Sequence, residues 1–409
     1  MPIMNESPDN PLGVLQSCRT WLPASQKWLY TQVSSLPGDV TPYVVARQTD
    51  NLDRFELPNF FPFDDRTVGI GPVDWLLERL RYWKLLGMVG EHPIERLDRR
   101  RWIDYRAKLA ERTGCKILHS HFGNIGWRDV EIARRADLKH VVTVYGYDVS
   151  LLPRQEPVWR ERYRALFQHV DAVLCEGPHM AETVVGLGCP PEKARVHHLG
   201  VDLEAIDHRS RRRGDDEPTR VLMAASFREK KGLAYGLEAL GRLHADHDLE
   251  VTLIGEANSE DRSQEEAARI WETVERHDLG PVLRHLEFQP FERLIEEMLA
   301  HDIFLSPSVT SERGDSEGGA PVTIIAAQAT GMPVVSTTHA DIPNVVVDGQ
   351  TGLLAAERDT DGLVERLERL IEAPESWIEY GEAARDRIER EFDARKQGRR
   401  LAEIYRTLV

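Results

Sequence analysis

The chain has 409 residues and a formal net charge of −16, long enough for two domains with separate cores and too acidic for a general binder of nucleic acid, whose phosphates it would repel. Cys18, Cys115, Cys175 and Cys189 are scattered without CxxC pairing, so neither a zinc site nor a disulfide framework is implied. The polar opening MPIMNESPDNPLG has no signal-peptide pattern, and no apolar run reaches the roughly 18 residues of a membrane span, which makes a soluble cytoplasmic protein the expectation.

In chain order, Trp21–Tyr30 (WLPASQKWLY) comes first; its tryptophans are suited either to stacking on a sugar or to buried packing. Trp75–Leu86 and Arg99–Ala110 mix arginine with aromatic residues, the pattern of an ordinary amphipathic helix pair or of a weak contact with an anionic membrane surface. Short apolar runs suited to buried parallel strands then recur at Lys116–Leu118, Val141–Val144, Ala172–Leu174, Val196–Leu199, Val221–Ala224, Val251–Ile254, Ile303–Leu305 and Val334–Ser336. Amphipathic stretches lie between and after them, among them Val158–Phe167, Glu265–Glu275 and Glu365–Ile371. Strands alternating with helices predict an α/β chain of doubly wound sheets. The polar run 204–218 is the linker candidate, with domains 1–205 and 206–385 on either side and region 386–409 beyond, within the last helical segment Ala383–Leu408.

Candidate site residues fall at the C-terminal ends of these strands, where open α/β sheets bind ligands. In the first half they are His121, Gly123 and Asn124, then Tyr145 and Asp148, then Glu176. His119 and His121 invite a metal reading, but no third ligand of matching spacing is evident, and polar lining of a cleft is the preferred account. In the second half, Ser226, Arg228 and Lys231 follow a strand and precede Gly232, cations that suit a diphosphate or, as charge runs commonly do, a solvated surface. Gly255 and Glu256 turn after the next strand, and Phe288 is read as core packing ahead of a stacking platform.

The most informative segment is 316–354. Gly318 and Gly319 permit positive φ and close approach of a ligand. Ala320 to Thr323 open a helix with Pro321 in its first turn, and the unpaired amides around Ala320, Pro321 and Val322 favour a diphosphate. Glu317 would repel phosphate and is better placed to accept hydrogen bonds from sugar hydroxyls; the bland alternative is a capping loop with a solvated carboxylate.

This segment resembles the donor-site signature of the GT4 family of retaining glycosyltransferases, in which a Glu-Gly-x-Pro loop leads to a helix with a second glutamate. Here Ala326 stands at that second position, where the resemblance implies a ribose-binding carboxylate. It further implies that Lys231 contacts the pyrophosphate. Ser226 replaces the usual arginine, for which Arg228 offers compensation, and Tyr145 replaces the histidine of a His-Gly-x-Asp pattern that ends at Asp148. Ser25 and Trp28 lie in a stretch similar to an acceptor-site element of bacterial polysaccharide-building members, and the last helix is implied to cross back to the first domain.

The expectation is therefore a GT-B fold of two Rossmann-like domains facing a central cleft, with the acceptor on the first and the donor on the second. The activity would be retaining transfer from a nucleotide sugar, UDP-sugar first and GDP-mannose next, to a saccharide or lipid-linked acceptor. No cofactor and no metal would be needed, and peripheral contact with the inner membrane face fits a lipid-linked acceptor. Glu317, Lys231 and Arg228 would carry the chemistry. A sugar-nucleotide epimerase or hydrolase of the same architecture, or a non-catalytic sugar-nucleotide-binding protein, are the alternatives.

Overall fold

A computed structural model describes residues 11–22, 26–51, 55–62, 76, 79–80, 91–214, 216–259 and 261–409. Two all-parallel sheets dominate it. The first contains β1 (Leu12–Trp21), β2 (Val40–Thr49), β3 (Phe60–Pro62), β4 (Ile117–His121), β5 (Lys139–Thr143), β6 (Ala172–Cys175) and β7 (Ala194–Val196), in the order β3-β2-β1-β4-β5-β6-β7. The second contains β8 (Thr219–Ala224), β9 (Leu249–Ile254), β10 (Leu283–Leu286), β11 (Ile303–Ser306), β12 (Val334–Thr337) and β13 (Leu353–Ala355), in the order β10-β9-β8-β11-β12-β13. Each order reverses once, between β1 and β4 and between β8 and β11. A crevice opens at such a point above the strand ends, because the loops on its two sides run in opposite directions.

Strands buried on both faces read as continuous apolar runs, and β4, β6, β11 and β12 are buried along their whole length. Several boundaries depart from the sequence reading. The strand expected at Val196–Leu199 lies at Ala194–Val196. The run 383–408 is two helices, Trp377–Glu391 and Ala394–Arg406, broken where Asp393 bridges to Val201. The second of these packs under the first sheet, with Leu401, Ala402 and Tyr405 in one buried cluster with Val14, Ile117, Val141 and Leu174. Among its described residues the linker candidate carries no helix or strand, but it is not loose. Arg211 is buried and donates to the backbone carbonyls of Met298, His301 and Thr330, beneath the second sheet. Burial pushes its pKa down to about 9.

Among the described residues no helix is long and apolar enough to cross a membrane. Ser25 and most of Trp75–Leu86 lie outside the described residues.

Candidate active site

The reversal in the second sheet brings two loops together. The loop after β8 contains a short 3-10 turn, Glu229–Lys231. The loop after β11 runs through Asp315 and Glu317 to the helix Val322–Ala329. Across this point Lys231 Nζ lies 2.6 Å from Glu317 Oε1, and both side chains are largely buried. Burial alone would favour the neutral acid, but Lys231 and Lys230 outweigh it and bring the Glu317 pKa down to about 2. The loop is fixed from below: the Glu317 amide donates to His339 Nε2 (3.0 Å), and His339 Nδ1 lies 2.6 Å from Glu357 Oε1. An imidazole that accepts at Nε2 carries its proton on Nδ1, from which His339 donates to Glu357.

Sequence reasoning passed over Asp315, which organises the cations. It is buried and takes Lys230 on Oδ1 and Arg228 on Oδ2, each at 3.2 Å, while Lys230 also donates to the Ser316 carbonyl at 3.0 Å. Lys230 is thus a brace for the loop, and Arg228 shares its charge with Asp315. The signal was present in the run Asp315-Ser316-Glu317, two acids facing three cations in 228–231. Ser226 is exposed and its hydroxyl has no partner among the described residues. A cavity of about 500 Å³ opens beside this loop, walled by Tyr147, Arg228, Glu266, Arg269 and Asp315.

Gly318 and Gly319 act through close approach and not through positive φ, which neither adopts. A Cβ on Gly318 would stand 2.4 Å from the Tyr145 carbonyl, and one on Gly319 would stand 2.5 Å from Glu176 Cβ. The loop after β11 is therefore pressed against the first domain. Glu176 accepts from the Gly319 amide, yet burial dominates and, with Asp148, Asp341 and Glu317 nearby, raises its pKa to about 8. A second link crosses the cleft here: Asp341 accepts from the amides of His179 (2.8 Å) and Met180 (3.1 Å), in the first turn of the helix Pro178–Gly186. It caps a helix of the opposite domain. Pro321 is the N-cap of helix 322–329 and not part of its first turn, with the Ala320 and Val322 backbone on either side. Ala326 is fully buried in an apolar cluster with Ile254, Phe304 and Ile342.

The first-sheet candidates divide. Trp28 is partly exposed, with its ring centroid 4.4 Å from Tyr145 and 6.5 Å from Phe122, an aromatic wall at the switch between β1 and β4. His121 does not line the cleft. It is fully buried, and Tyr145, His121, Gln16, Tyr405, His119 and Thr143 form a continuous chain of hydrogen bonds. Tyr145 donates to His121 Nδ1 (2.6 Å), His121 Nε2 to Gln16 Oε1 (2.9 Å) and Gln16 Nε2 to Tyr405 (3.3 Å). Tyr405 then donates to His119 Nδ1 (2.6 Å), and His119 Nε2 to Thr143 (2.6 Å). Burial holds His121 down at about 3 and His119 well below its ordinary value, so both imidazoles stay neutral as the chain of bonds requires. All four ring nitrogens are taken by protein partners. Asp148 is likewise spent inside the fold, accepting from Gly123 (2.7 Å) and from the Tyr145 amide (3.0 Å), which fixes the loops after β4 and β5. Asn124 is partly exposed beside them.

At the second sheet's edge, Gly255 has φ 146° and a Cβ there would meet the Ala225 carbonyl at 1.9 Å, so the β8 and β9 loops pack backbone to backbone. Glu256 is exposed. Phe288 is 48% exposed, against the core reading, and stands beyond the C-terminal end of β10. Among the described residues one grouping has metal-ligand spacing, His247 with Glu368 and Glu372. It lies near the start of β9, at the opposite end of the sheet from the cleft.

Comparison with known proteins agrees with this geometry. Residues 205–387 match the family model for glycosyl transferases group 1, and residues 42–205 match that for glycosyltransferase family 4. The amylovoran biosynthesis glycosyltransferase AmsK of Erwinia amylovora is 31% identical over 299 residues, 72% of this chain and 70% of that protein. A sucrose-phosphate synthase from Thermosynechococcus elongatus superposes with a TM-score of 0.75 at 17% identity over 98% of this chain and 99% of the other. Anabaena HepE in complex with UDP and glucose gives 0.74 at 14% identity, over 97% of this chain and all of the other. With two parallel Rossmann-like sheets meeting at a cleft and family matches running from residue 42 to 387, the chain belongs to the GT4 family of glycosyltransferases and has the GT-B fold.

Proposed function

We propose that this glycosyltransferase moves a sugar, with retention of anomeric configuration, from a nucleotide sugar held by the second domain to a saccharide or glycolipid held by the first. The observation that carries this reading is the Lys231–Glu317 pair at the switch point between β8 and β11. A diphosphate draws Lys231 towards itself and frees Glu317 to accept hydrogen bonds from the sugar. The unpaired amides at the start of helix 322–329 face the same charge.

As the glycosidic carbon–oxygen bond to phosphate breaks, charge grows on the leaving diphosphate, and Lys231, the helix amides and Arg228 stabilise it without rearranging. The acceptor hydroxyl attacks from the same face, and its proton passes to the departing phosphate oxygen. Tyr145 cannot take that proton, because burial and the neighbouring Glu176 hold its pKa well above the usual phenol range. Fixed cations stand where a metal would otherwise act, so transfer continues in EDTA. A UDP-sugar is the favoured donor, consistent with the UDP and glucose named for the HepE complex, and GDP-mannose is the next choice.

A second reading, a nucleotide-sugar-binding protein without turnover, is favoured by the burial of Ala326 in apolar surroundings. Calorimetric titration of UDP, GDP and ADP tests the donor site: one of them binds, and Lys231→Ala weakens it about tenfold or more. Absence of binding by all three overturns the proposal. Product analysis with the matching nucleotide sugar, with and without acceptor, separates transfer from hydrolysis and from binding alone.

A further inference from the structure

Four arginines gather on one face of the first sheet. Cys18 pairs with Ala46 and Thr20 with Gln48, which sets Arg19 of β1 beside Arg47 of β2 on the same side. Two residues back on that face, Ser17 and Asp129 each hold Arg106 at 2.6 Å. Arg106 and Arg47 both lie over the Trp102 ring, at 4.2 and 5.0 Å, and Arg47 donates to Asp98 at 2.8 Å. Asp98 and Asp129 are thereby engaged, and their sequence neighbours Arg99 and Arg128 arrive at the same place. Arg19, Arg47, Arg99 and Arg128 are all exposed. Among the described residues no hydrogen bond or ion pair holds Arg19, Arg99 or Arg128. The four charges feel one another, for partial burial, then Arg19 and Arg47, and also Arg99, lower the pKa of Arg128 against Asp129.

Like charges side by side on a sheet destabilise it, and in a chain of net charge −16 this concentration is not background. Its position gives it a use. Arg19 and Arg47 lie near the C-terminal ends of β1 and β2, the end at which Phe122 and the Trp28 wall stand. Guanidinium groups suit carboxylate and phosphate oxygens because they offer paired donors in a plane.

We infer that this cluster is the subsite for an anionic group, phosphate or carboxylate, carried by the acceptor. The inference rests on the transferase reading above. It makes the acceptor a charged saccharide or glycolipid, and it requires the reaction that supplies the acceptor to introduce phosphate or an acid before this enzyme acts.

The test uses the full chain and the double variant Arg19→Gln/Arg128→Gln, with glucose, glucose 1-phosphate and glucuronic acid as probes in the presence of the nucleoside diphosphate that binds. The wild type takes up the phosphate-bearing or the acid-bearing sugar in preference to glucose, and whichever arm responds names the anion. The double variant loses about tenfold or more of that affinity while binding the nucleotide as before, which also reports that it is folded. Equal affinity for glucose and the anionic sugars, or no loss in the double variant, overturns the inference. So does binding of phosphatidylglycerol vesicles, lost in the double variant, without uptake of either charged sugar. If no nucleotide binds the wild type, it is the donor-site proposal that fails, and the anion titration run without nucleotide still decides this one.

Discussion

Lys231 and Glu317 hold each other at 2.6 Å across the point where the second sheet reverses its order. The contact keeps the lysine largely buried and aimed at the cleft, and it keeps the glutamate ionised. Each partner is thus ready for a different part of a nucleotide sugar, provided that part offers a better bond than the pair itself.

Replacing Lys231 with alanine removes the cation nearest the leaving group. The expected loss in kcat is about 10²–10³-fold, the size seen when one preorganised donor is deleted from a developing negative charge, with a smaller change in KM. Steady-state transfer assays decide this, and a change confined to KM would show that the lysine only anchors the ground state.

Glu317 also governs acid stability. Its folded pKa of about 2 lies below its ordinary value of 4.5, so the unfolded chain binds the proton first and stability falls as pH drops from about 5 towards 2. Glu317→Gln removes that contribution. Its denaturant midpoint changes less between about pH 6 and about pH 3 than that of the wild type.

Glu176 predicts the opposite trend. With a folded pKa of about 8, the folded state keeps a proton that the unfolded chain has released, so stability falls as pH rises from about 4.5 through 8. Glu176→Gln abolishes this fall. The gain over wild type at about pH 9 is on the order of a few kcal/mol, since each unit is worth about 1.4 kcal/mol, and chemical denaturation at acid and alkaline pH measures it.

Asp341 joins the domains by capping a helix of the opposite one. Asp341→Ala leaves the His179 and Met180 amides without that partner, a loss of about 0.5–2 kcal/mol for a cap. Because the lost contacts lie between domains, the variant is expected to open, and its radius of gyration in small-angle scattering rises. An unchanged radius would mean that the glycine loop alone holds the cleft shut.

Ala326→Glu places a carboxyl in an apolar cluster. Without ligand the variant melts at lower temperature, because the buried charge has no partner. The nucleotide whose ribose meets it restores the lost stability and binds about tenfold more tightly than to wild type, the worth of hydrogen bonds to a charged group. Differential scanning with and without nucleotide reads both effects.

Much of the second sheet was legible because its strands are short apolar runs ending in loops with chemistry on them: Val221–Ala224 before Lys231, and Ile303–Leu305 before Glu317. The first two strands were not legible. β1 holds Gln16, Ser17, Arg19 and Thr20 within its apolar pattern, and Gln16 and Ser17 find their partners in distant residues such as Tyr405 and Arg106. The brace of Asp315 and the cap of Asp341 escaped for the same reason, since neither partner lies within a local window. His121 looked like a cleft residue because it stands at the C-terminal end of a strand; the two rings instead belong to an internal chain of hydrogen bonds.

The place of Tyr405 in that chain of bonds has a consequence for how the protein is made. Tyr405, Leu401 and Ala402 complete the floor beneath β1, β4, β5 and β6, yet they leave the ribosome after every strand of both sheets has emerged. During synthesis the first domain waits with Val14, Ile117 and Val141 uncovered while the second, whose strands are contiguous in the chain, has all its parts to hand. The domain that comes earlier in the chain is therefore the one that finishes folding last, and a chain cut before Leu401 would yield a sound second half joined to an open first.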